Sequence, residues 1–276
     1  MPAGFPITHN YPGFPDGISG KELLARLCEQ AQKNGATIRQ EEVVGLTRSG
    51  DFFTAQCGSL AALTSRTVLM ATGVENLRPT MSEEDHAQAL SRGLVRYCPV
   101  CDGFEVTDKH IAVLGTGEGA VNEAMFLRSY TSSVTLVSAD RDHEISSDQQ
   151  ERLKRCGIDL IPGPCLSIHL RGREIELTVP SGTAAFDSLY PALGTKIRSS
   201  LARDLGVNIS ADGCIVVDDG QRSSMPGLYA AGDVVYGLDQ ICCATGQSAM
   251  AATSIRNDLC YERQLLRASD AGCIGK

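Results

Sequence analysis

No stretch of this 276-residue sequence is an apolar run long enough to cross a bilayer. Nor does its start hold the apolar core of a secretory leader, since Met1 to Gly20 is rich in Pro and Gly instead. Positive charge is also short: 25 Lys and Arg face 33 Asp and Glu, a net charge of −8, which argues against nucleic acid or an anionic membrane as the main partner. These absences make a cytoplasmic protein the expectation. There is no solenoid-type repeat and no low-complexity segment. A second C-x-x-C and an H-x3-5-H pair are both missing, so the one C-x-x-C present lacks the partners that would complete four zinc ligands. The adjacent Cys242 and Cys243 are a poor substitute, because neighbouring residues seldom aim both side chains at one metal.

What is present begins with Cys98-Pro99-Val100-Cys101-Asp102-Gly103. Two intervening residues let a turn or a helix start bring both sulfurs within bonding reach, so a C-x-x-C is able to form a redox-active disulfide. Half a zinc site is the competing reading. Just downstream, Gly115-Thr116-Gly117-Glu118-Gly119-Ala120 is a glycine turn of dinucleotide type, weak when taken alone. Its context strengthens it. Lys109 to Leu114 is an apolar run entering the turn, Ala120 to Arg128 carries Val121, Ala124, Met125 and Leu127 at helical spacing, and Ser133 to Val137 reads as a second strand. That order is the βαβ unit in which helix N-terminal amides hold a pyrophosphate. A nucleotide site beside a dithiol points to electrons moving from a nicotinamide, through a flavin, to the cysteines.

The remaining seven cysteines, Cys28, Cys57, Cys156, Cys165, Cys214, Cys260 and Cys273, lack a framework spacing and read as small buried hydrophobes. Lys21 to Lys33 reads as an amphipathic helix with Leu23, Leu24, Leu27 and Ala31 on one face and Ser19 or Gly20 at its start. Strands are expected over Thr37 to Val44, Phe52 to Cys57 and Arg66 to Met70, with Leu77 to Asp85 as a connector. Beyond the βαβ unit, Ser147 to Cys156 reads as a helix. Ile158 to Ile161, Glu174 to Val179 and Ser188 to Leu193 read as strands. Cys214 to Val217 and Gly227 to Ala230 read as a strand pair, and a helix is expected from about Gly246 to Asn257.

Taken in order, these motifs resemble the low-molecular-weight thioredoxin reductases, two-nucleotide-domain flavin disulfide reductases. The residues that carry the resemblance are Asn10-Tyr11-Pro12-Gly13, Ala71-Thr72-Gly73, Cys98 to Phe104, the glycine turn, Ala192 to Gly194, Ala230 to Asp233, Gln240 and Gly246. The resemblance implies an α/β fold with two Rossmann-like three-layer domains. An FAD-type domain, discontinuous over 1–94 and 215–276, would enclose a nicotinamide domain at 95–214 that carries the C-x-x-C. It further implies that Cys101 meets the flavin, that Cys98 attacks the substrate disulfide, and that Asp102 protonates the leaving thiolate. A helix N-cap is the alternative role for Asp102. Asn10, Thr72 and Gly73 would line the isoalloxazine, and Gly232, Asp233 and Gln240 would complete the flavin side. Gly115, Gly117 and Ala120 would hold the nicotinamide dinucleotide. The implied acceptor is a thioredoxin-like protein or a small disulfide, and the implied assembly a homodimer.

Two departures from the family pattern shape the expectations. The family opens with a strand and a G-x-G-x-x-G turn for the FAD pyrophosphate, and no such turn precedes Asn10. The FAD-type domain is therefore expected to be N-terminally incomplete and this chain to hold FAD weakly. A non-catalytic dinucleotide-binding remnant and a dithiol protein that works without nicotinamide are the alternative functions. Where NADPH-using relatives carry H-R-R after the second strand, this chain has Ser138-Ala139-Asp140, and Asp140 suits a ribose diol better than a 2′-phosphate. NADH is thus expected over NADPH. No resident metal is expected.

Overall fold

The computed structural model describes residues 7–58 and 61–262. The chain begins with helix α1 (Gly20–Lys33), then strands β1 (Val43–Ser49), β2 (Phe52–Cys57), β3 (Leu63–Ser65), β4 (Val68–Met70) and β5 (Val74–Asn76). Helices α2 (Glu83–Ser91) and α3 (Pro99–Asp102) follow, then a 3-10 turn over Gly103–Val106. Next come β6 (His110–Gly115), α4 (Gly117–Leu127), β7 (Ser133–Val137), α5 (Ser147–Arg155) and β8 (Asp159–Ile161). The strands β9 (Ser167–Arg171), β10 (Glu174–Val179), β11 (Gly182–Phe186), β12 (Ser188–Ala192) and β13 (Thr195–Ile197) lead to α6 (Ser200–Asp204), β14 (Leu228–Ala230) and α7 (Ile241–Glu262). Among the described residues no helix is long and apolar enough to cross a membrane.

Packing divides the chain into two compact units. The first comprises Met1–Arg39 and Val74–Lys196, the second Gln40–Gly73 and Ile197–Lys276. Ala89, Leu94 and Val95 are buried in the same cluster as Ala112, Leu114 and Leu189. In the second unit, Ile197 and Ala202 pack with Ile215 and Val235.

The first unit is built on a four-stranded parallel sheet ordered β12-β6-β7-β8. Ile111 and Val113 face one apolar cluster with Val121, Ala124 and Leu127 of α4, while Ala112 and Leu114 face the other. A parallel sheet covered on both faces needs such near-continuous apolar strands, which is why the run from His110 to Leu114 is legible in the sequence. A second, antiparallel sheet β11-β10-β9 packs on the other face through Ile168, Ile175, Leu177 and Phe186. The second unit holds the antiparallel sheet β1-β2-β3 and the parallel pair β14-β4, with Phe53, Met70, Leu228 and Val234 in its core.

Several expectations need correction. The first strand lies at Val43–Ser49, not Thr37 to Val44, because the turn at the left-handed Gly50 fixes its register against β2 while residues 37–42 are polar or exposed. α1 buries Leu23, but Leu27 is 39% exposed, so the apolar face is narrower than its sequence. The connector at Leu77 to Asp85 ends in α2, capped by Ser82 accepting from the Asp85 amide. Cys214 to Val217 does not pair with Gly227 to Ala230; β14 joins β4, and Ile215 bridges Ile209 and Val235. The last helix starts at Ile241, five residues ahead of Gly246. Of the cysteines read as buried, Cys214 is buried, Cys57, Cys156, Cys165 and Cys260 are half-buried, and Cys28 is exposed. Cys273 lies outside the described residues.

Candidate redox site and dinucleotide turn

The local chain around the C-x-x-C explains its geometry. Pro99 occupies the first helical position, where its fixed φ suits a helix start and its missing N–H is no loss. Cys98 is the N-cap, its sulfur 3.1 Å from the Cys101 amide, which donates to it. This one-turn helix joins Cys98 and Cys101 in a disulfide with Cα atoms 5.2 Å apart. Both cysteines are half-buried, whereas Val100 and Phe104 beside them are 45% and 76% exposed.

Asp102, the next residue, is buried. Arg96 Nη1 donates to its Oδ2 at 2.9 Å and Tyr190 Oη donates to its Oδ1 at 2.8 Å. Burial pushes the Asp102 carboxyl upward, and the Arg96 cation and the Tyr190 hydroxyl pull against that shift. Asp102 makes no side-chain cap hydrogen bond to the following 3-10 turn. The alternative role as an N-cap is thereby corrected: Cys98 caps α3, and the carboxylate is already spent on Arg96 and Tyr190.

Asn10 lies in the same unit. Its side-chain amide donates to the Val100 carbonyl at 3.2 Å, and His9 pairs with Glu105. The motif near the start of the chain therefore touches the middle of the C-x-x-C.

The glycine turn is equally well explained. A Cβ on Gly115 would stand 2.5 Å from the Ala192 carbonyl oxygen and 3.1 Å from the Ala120 Cβ, so strand β12 and helix α4 crowd it from both sides. Gly117 has φ of +73°, left-handed backbone that glycine accepts. Open space lies around Gly119, where an added Cβ meets nothing within 4 Å. Thr116, the N-cap of α4, makes no side-chain cap, because its hydroxyl accepts from the Glu144 amide at 2.6 Å instead. An uncapped, eleven-residue helix with glycines at its entrance fits a dinucleotide pyrophosphate. Asp140 is exposed in the segment after β7, whose strand pairs directly with β6. Arg141 next to it pairs with Glu144 at 3.2 Å.

Thr72, Gly73, Gly232, Asp233 and Gln240 all lie in the second unit. The Thr72 hydroxyl donates to the Arg198 carbonyl at 2.6 Å. Gly73 is left-handed with open space where a Cβ would stand. Gly232 is left-handed at the end of β14 and its amide donates to Gln247 Oε1 at 2.7 Å. Burial raises the Asp233 carboxyl, and burial with the Asp233 charge raises Asp239 to about 6. A half-buried carboxylate suits the hydroxyls of a diol such as the flavin ribitol chain. Among the described residues of this unit, no glycine turn opens a helix in the way that Gly115 to Ala120 does.

Sequence reasoning passed over Arg96 and Tyr190. Arg96 was visible as a cation two residues ahead of Cys98, but nothing local joins it to Tyr190, which lies 88 positions from Asp102.

Comparison with known proteins adds a lineage to this geometry. A family model described as pyridine nucleotide-disulphide oxidoreductase matches residues 6–249. A thioredoxin reductase of Streptomyces coelicolor is 30% identical over 256 residues, covering 89% of this chain and 78% of the relative. A bifunctional thioredoxin reductase/thioredoxin of Mycobacterium leprae is 32% identical over 238 residues, 83% of this chain and 51% of the relative, so this chain spans about half of that protein. The crystal structure of thioredoxin reductase from Streptococcus pyogenes aligns with a TM-score of 0.83 at 28% identity, covering 94% of this chain and 86% of that one. A match over most of the sequence, joined to a disulfide-bonded C-x-x-C, makes the chain a member of the pyridine nucleotide-disulphide oxidoreductases, a thioredoxin reductase-like, flavin-dependent disulfide oxidoreductase.

Proposed function

We propose that Cys98 and Cys101 are the working dithiol of this oxidoreductase, taking electrons that originate on NADH and giving them to a disulfide on a thioredoxin-like protein or a small molecule. The observation that carries the reading is the Cys98–Cys101 disulfide with the buried Asp102 directly behind it. In this reading Cys98 attacks the acceptor disulfide, Cys101 closes the pair and faces the flavin, and Asp102 moves the proton. Exposed Val100 and Phe104 flank the sulfurs, and an apolar rim of this kind supports a protein acceptor.

Bound FAD would supply the two-electron step between nicotinamide and disulfide. Asp233 would accept hydrogen bonds from its ribitol hydroxyls. By the family resemblance, Thr72, Gly73, Gly232, Gln240 and Asn10 would be flavin-lining residues. The uncapped start of α4, with Gly115, Gly117 and Ala120, would bind the nicotinamide pyrophosphate. NADH preference rests on Asp140 and on the engagement of Arg141 by Glu144, which leaves that cation compromised as a 2′-phosphate ligand. The domain assignment of an FAD-type part and a nicotinamide-type part, and the homodimer, belong to the same reading.

The experiment is a thiol count. Protein incubated anaerobically with FAD and NADH, then alkylated and mapped by mass spectrometry, gains label at Cys98 and Cys101 and loses the disulfide; a disulfide that persists under these conditions contradicts the proposal.

A further inference from the structure

Arg96 and Tyr190 reach Asp102 from two different elements, and each takes one carboxylate oxygen. The segment before the C-x-x-C runs beside β12, with Val95 bridging Leu189 and the Arg96 amide donating to the Leu189 carbonyl at 2.9 Å. Arg96 is then fixed a second time, its Nε donating to the Gly93 carbonyl at 3.0 Å, an oxygen that also accepts from the Ser188 hydroxyl at 2.7 Å. Gly93 is left-handed, and a Cβ there would stand 2.6 Å from Arg96 Nη2, so this turn leaves room for the guanidinium. Tyr190 projects from the other side of β12 to Leu189, is fully buried, and has its phenol driven upward by burial and by the Asp102 carboxylate, so it remains a donor. The side chains of Arg96 and Asp102 are 11% and 7% exposed.

We infer that Arg96 and Tyr190 are positioning residues for dithiol exchange, each fixing one carboxyl oxygen of Asp102, the residue that follows the C-x-x-C. This inference rests on the proposed role of the dithiol. In the exchange, the Cys98 thiol passes its proton to Asp102 as its sulfur attacks the acceptor disulfide. The acceptor S–S bond breaks, and its first thiolate departs with that proton. The Cys101 thiol then attacks the Cys98 sulfur of the mixed disulfide, and its proton follows the same route to the second thiolate. Two electrons and two protons leave, the pair is closed, and Asp102 is again a carboxylate bound by Arg96 and Tyr190. Glu105, on the 3-10 turn and paired with His9, is the other charge facing Asp102, and it favours the protonated acid. The Arg96 cation therefore opposes both burial and Glu105, and its removal shifts Asp102 toward the acid.

The test uses full-length protein reduced with dithiothreitol and desalted, so that neither FAD nor nicotinamide enters the readout. Single-turnover reduction is followed from pH 5 to 10 with 2-hydroxyethyl disulfide, whose leaving thiolate needs a proton, and with Ellman's disulfide, whose leaving thiolate does not. Arg96→Met and Tyr190→Phe are expected to move the alkaline limb for 2-hydroxyethyl disulfide upward, Arg96→Met by about one pH unit or more, a tenfold change in the protonated fraction. Arg96→Lys keeps the cation and is expected to stay near the wild-type limb. Ellman's disulfide should show no such movement. A rate lowered equally at every pH, or a limb unmoved in both Arg96→Met and the conservative Tyr190→Phe, overturns the inference. Wild-type dithiol that reduces neither disulfide would instead overturn the proposed function on which it rests.

Discussion

The side-chain amide of Asn10 donates to the carbonyl of Val100 at 3.2 Å, tying the Asn-Tyr-Pro-Gly motif to the peptide between the two cysteines. This contact is exposed, so its worth lies near the lower end of the 0.5–1.5 kcal/mol typical of a net hydrogen bond, about 0.5 kcal/mol. Asn10→Ala should leave global stability nearly unchanged while loosening the C-x-x-C turn. Dithiothreitol reduction of the Cys98–Cys101 disulfide, followed by alkylation, should then run about twofold faster than in wild type. An unchanged rate would mean that the His9–Glu105 pair holds the segment by itself.

Gly115 is the tightest point of the nucleotide turn. The atom nearest to an added Cβ is the Ala192 carbonyl oxygen, part of β12 in register with Gly115, so it is unable to swing aside as a side-chain tip would. Gly115→Ala should cost about 1–3 kcal/mol through overpacking. Urea unfolding monitored by circular dichroism is the measurement, and Gly119→Ala, where open space waits, should be far milder on packing grounds.

Asp140 should set the nicotinamide preference. A carboxylate accepts hydrogen bonds from a ribose diol but repels a 2′-phosphate, and Arg141 already faces Glu144. Titration at one ionic strength should therefore show tighter binding of NADH than of NADPH, and Asp140→Arg should reverse the order. Tighter NADPH binding by the wild-type chain would show that Arg141 prevails.

In the second unit, Arg222 grips Asp258 through Nε and Nη2 at 2.7 and 2.8 Å, and Tyr229 Oη adds a third donor at 2.7 Å. Led by the Arg222 hydrogen bond, these contacts hold the Asp258 carboxyl below its ordinary value. A folded-state value below the unfolded one stabilises at pH above the unfolded value of about 3.9, and the gain is lost as pH falls through the folded value. Both side chains are 39% exposed, so solvent screening limits the contribution to about 1 kcal/mol or less. Asp258→Asn should lower the melting temperature at pH 7 and converge with wild type near pH 2; a difference that persists in acid would assign the effect to packing.

The parts of the fold legible in sequence are those where local pattern and burial agree. The βαβ unit from His110 to Val137 could be read because two strands, buried beyond their first residues, are mostly apolar and a glycine turn sits between them. α2 could not, since Glu83 to Ser91 buries only His86 and Ala89, although Ser82 with Asp85 three residues on was a cap signal in plain view. α7 starts five residues ahead of Gly246, an exposed glycine that sits inside the helix despite its low propensity. At the site, Cys98, Cys101 and Asp102 announce themselves by spacing. Arg96 and Tyr190 do not, because what joins them is the pairing of residues 94–96 along β12.

The most direct measurement is a trap for the mixed disulfide. Cys101→Ser should leave Cys98 able to attack but nothing to resolve the product, so a thioredoxin carrying a single, thionitrobenzoate-activated active-site cysteine should become covalently attached at Cys98, with thionitrobenzoate released. Peptide mapping should find the new bond at Cys98, and Cys98→Ser should form at most a small fraction of the adduct. Equal trapping by both variants, or attachment at Cys242, Cys243 or the exposed Cys28 instead, would contradict the assignment of Cys98 as the attacking thiol.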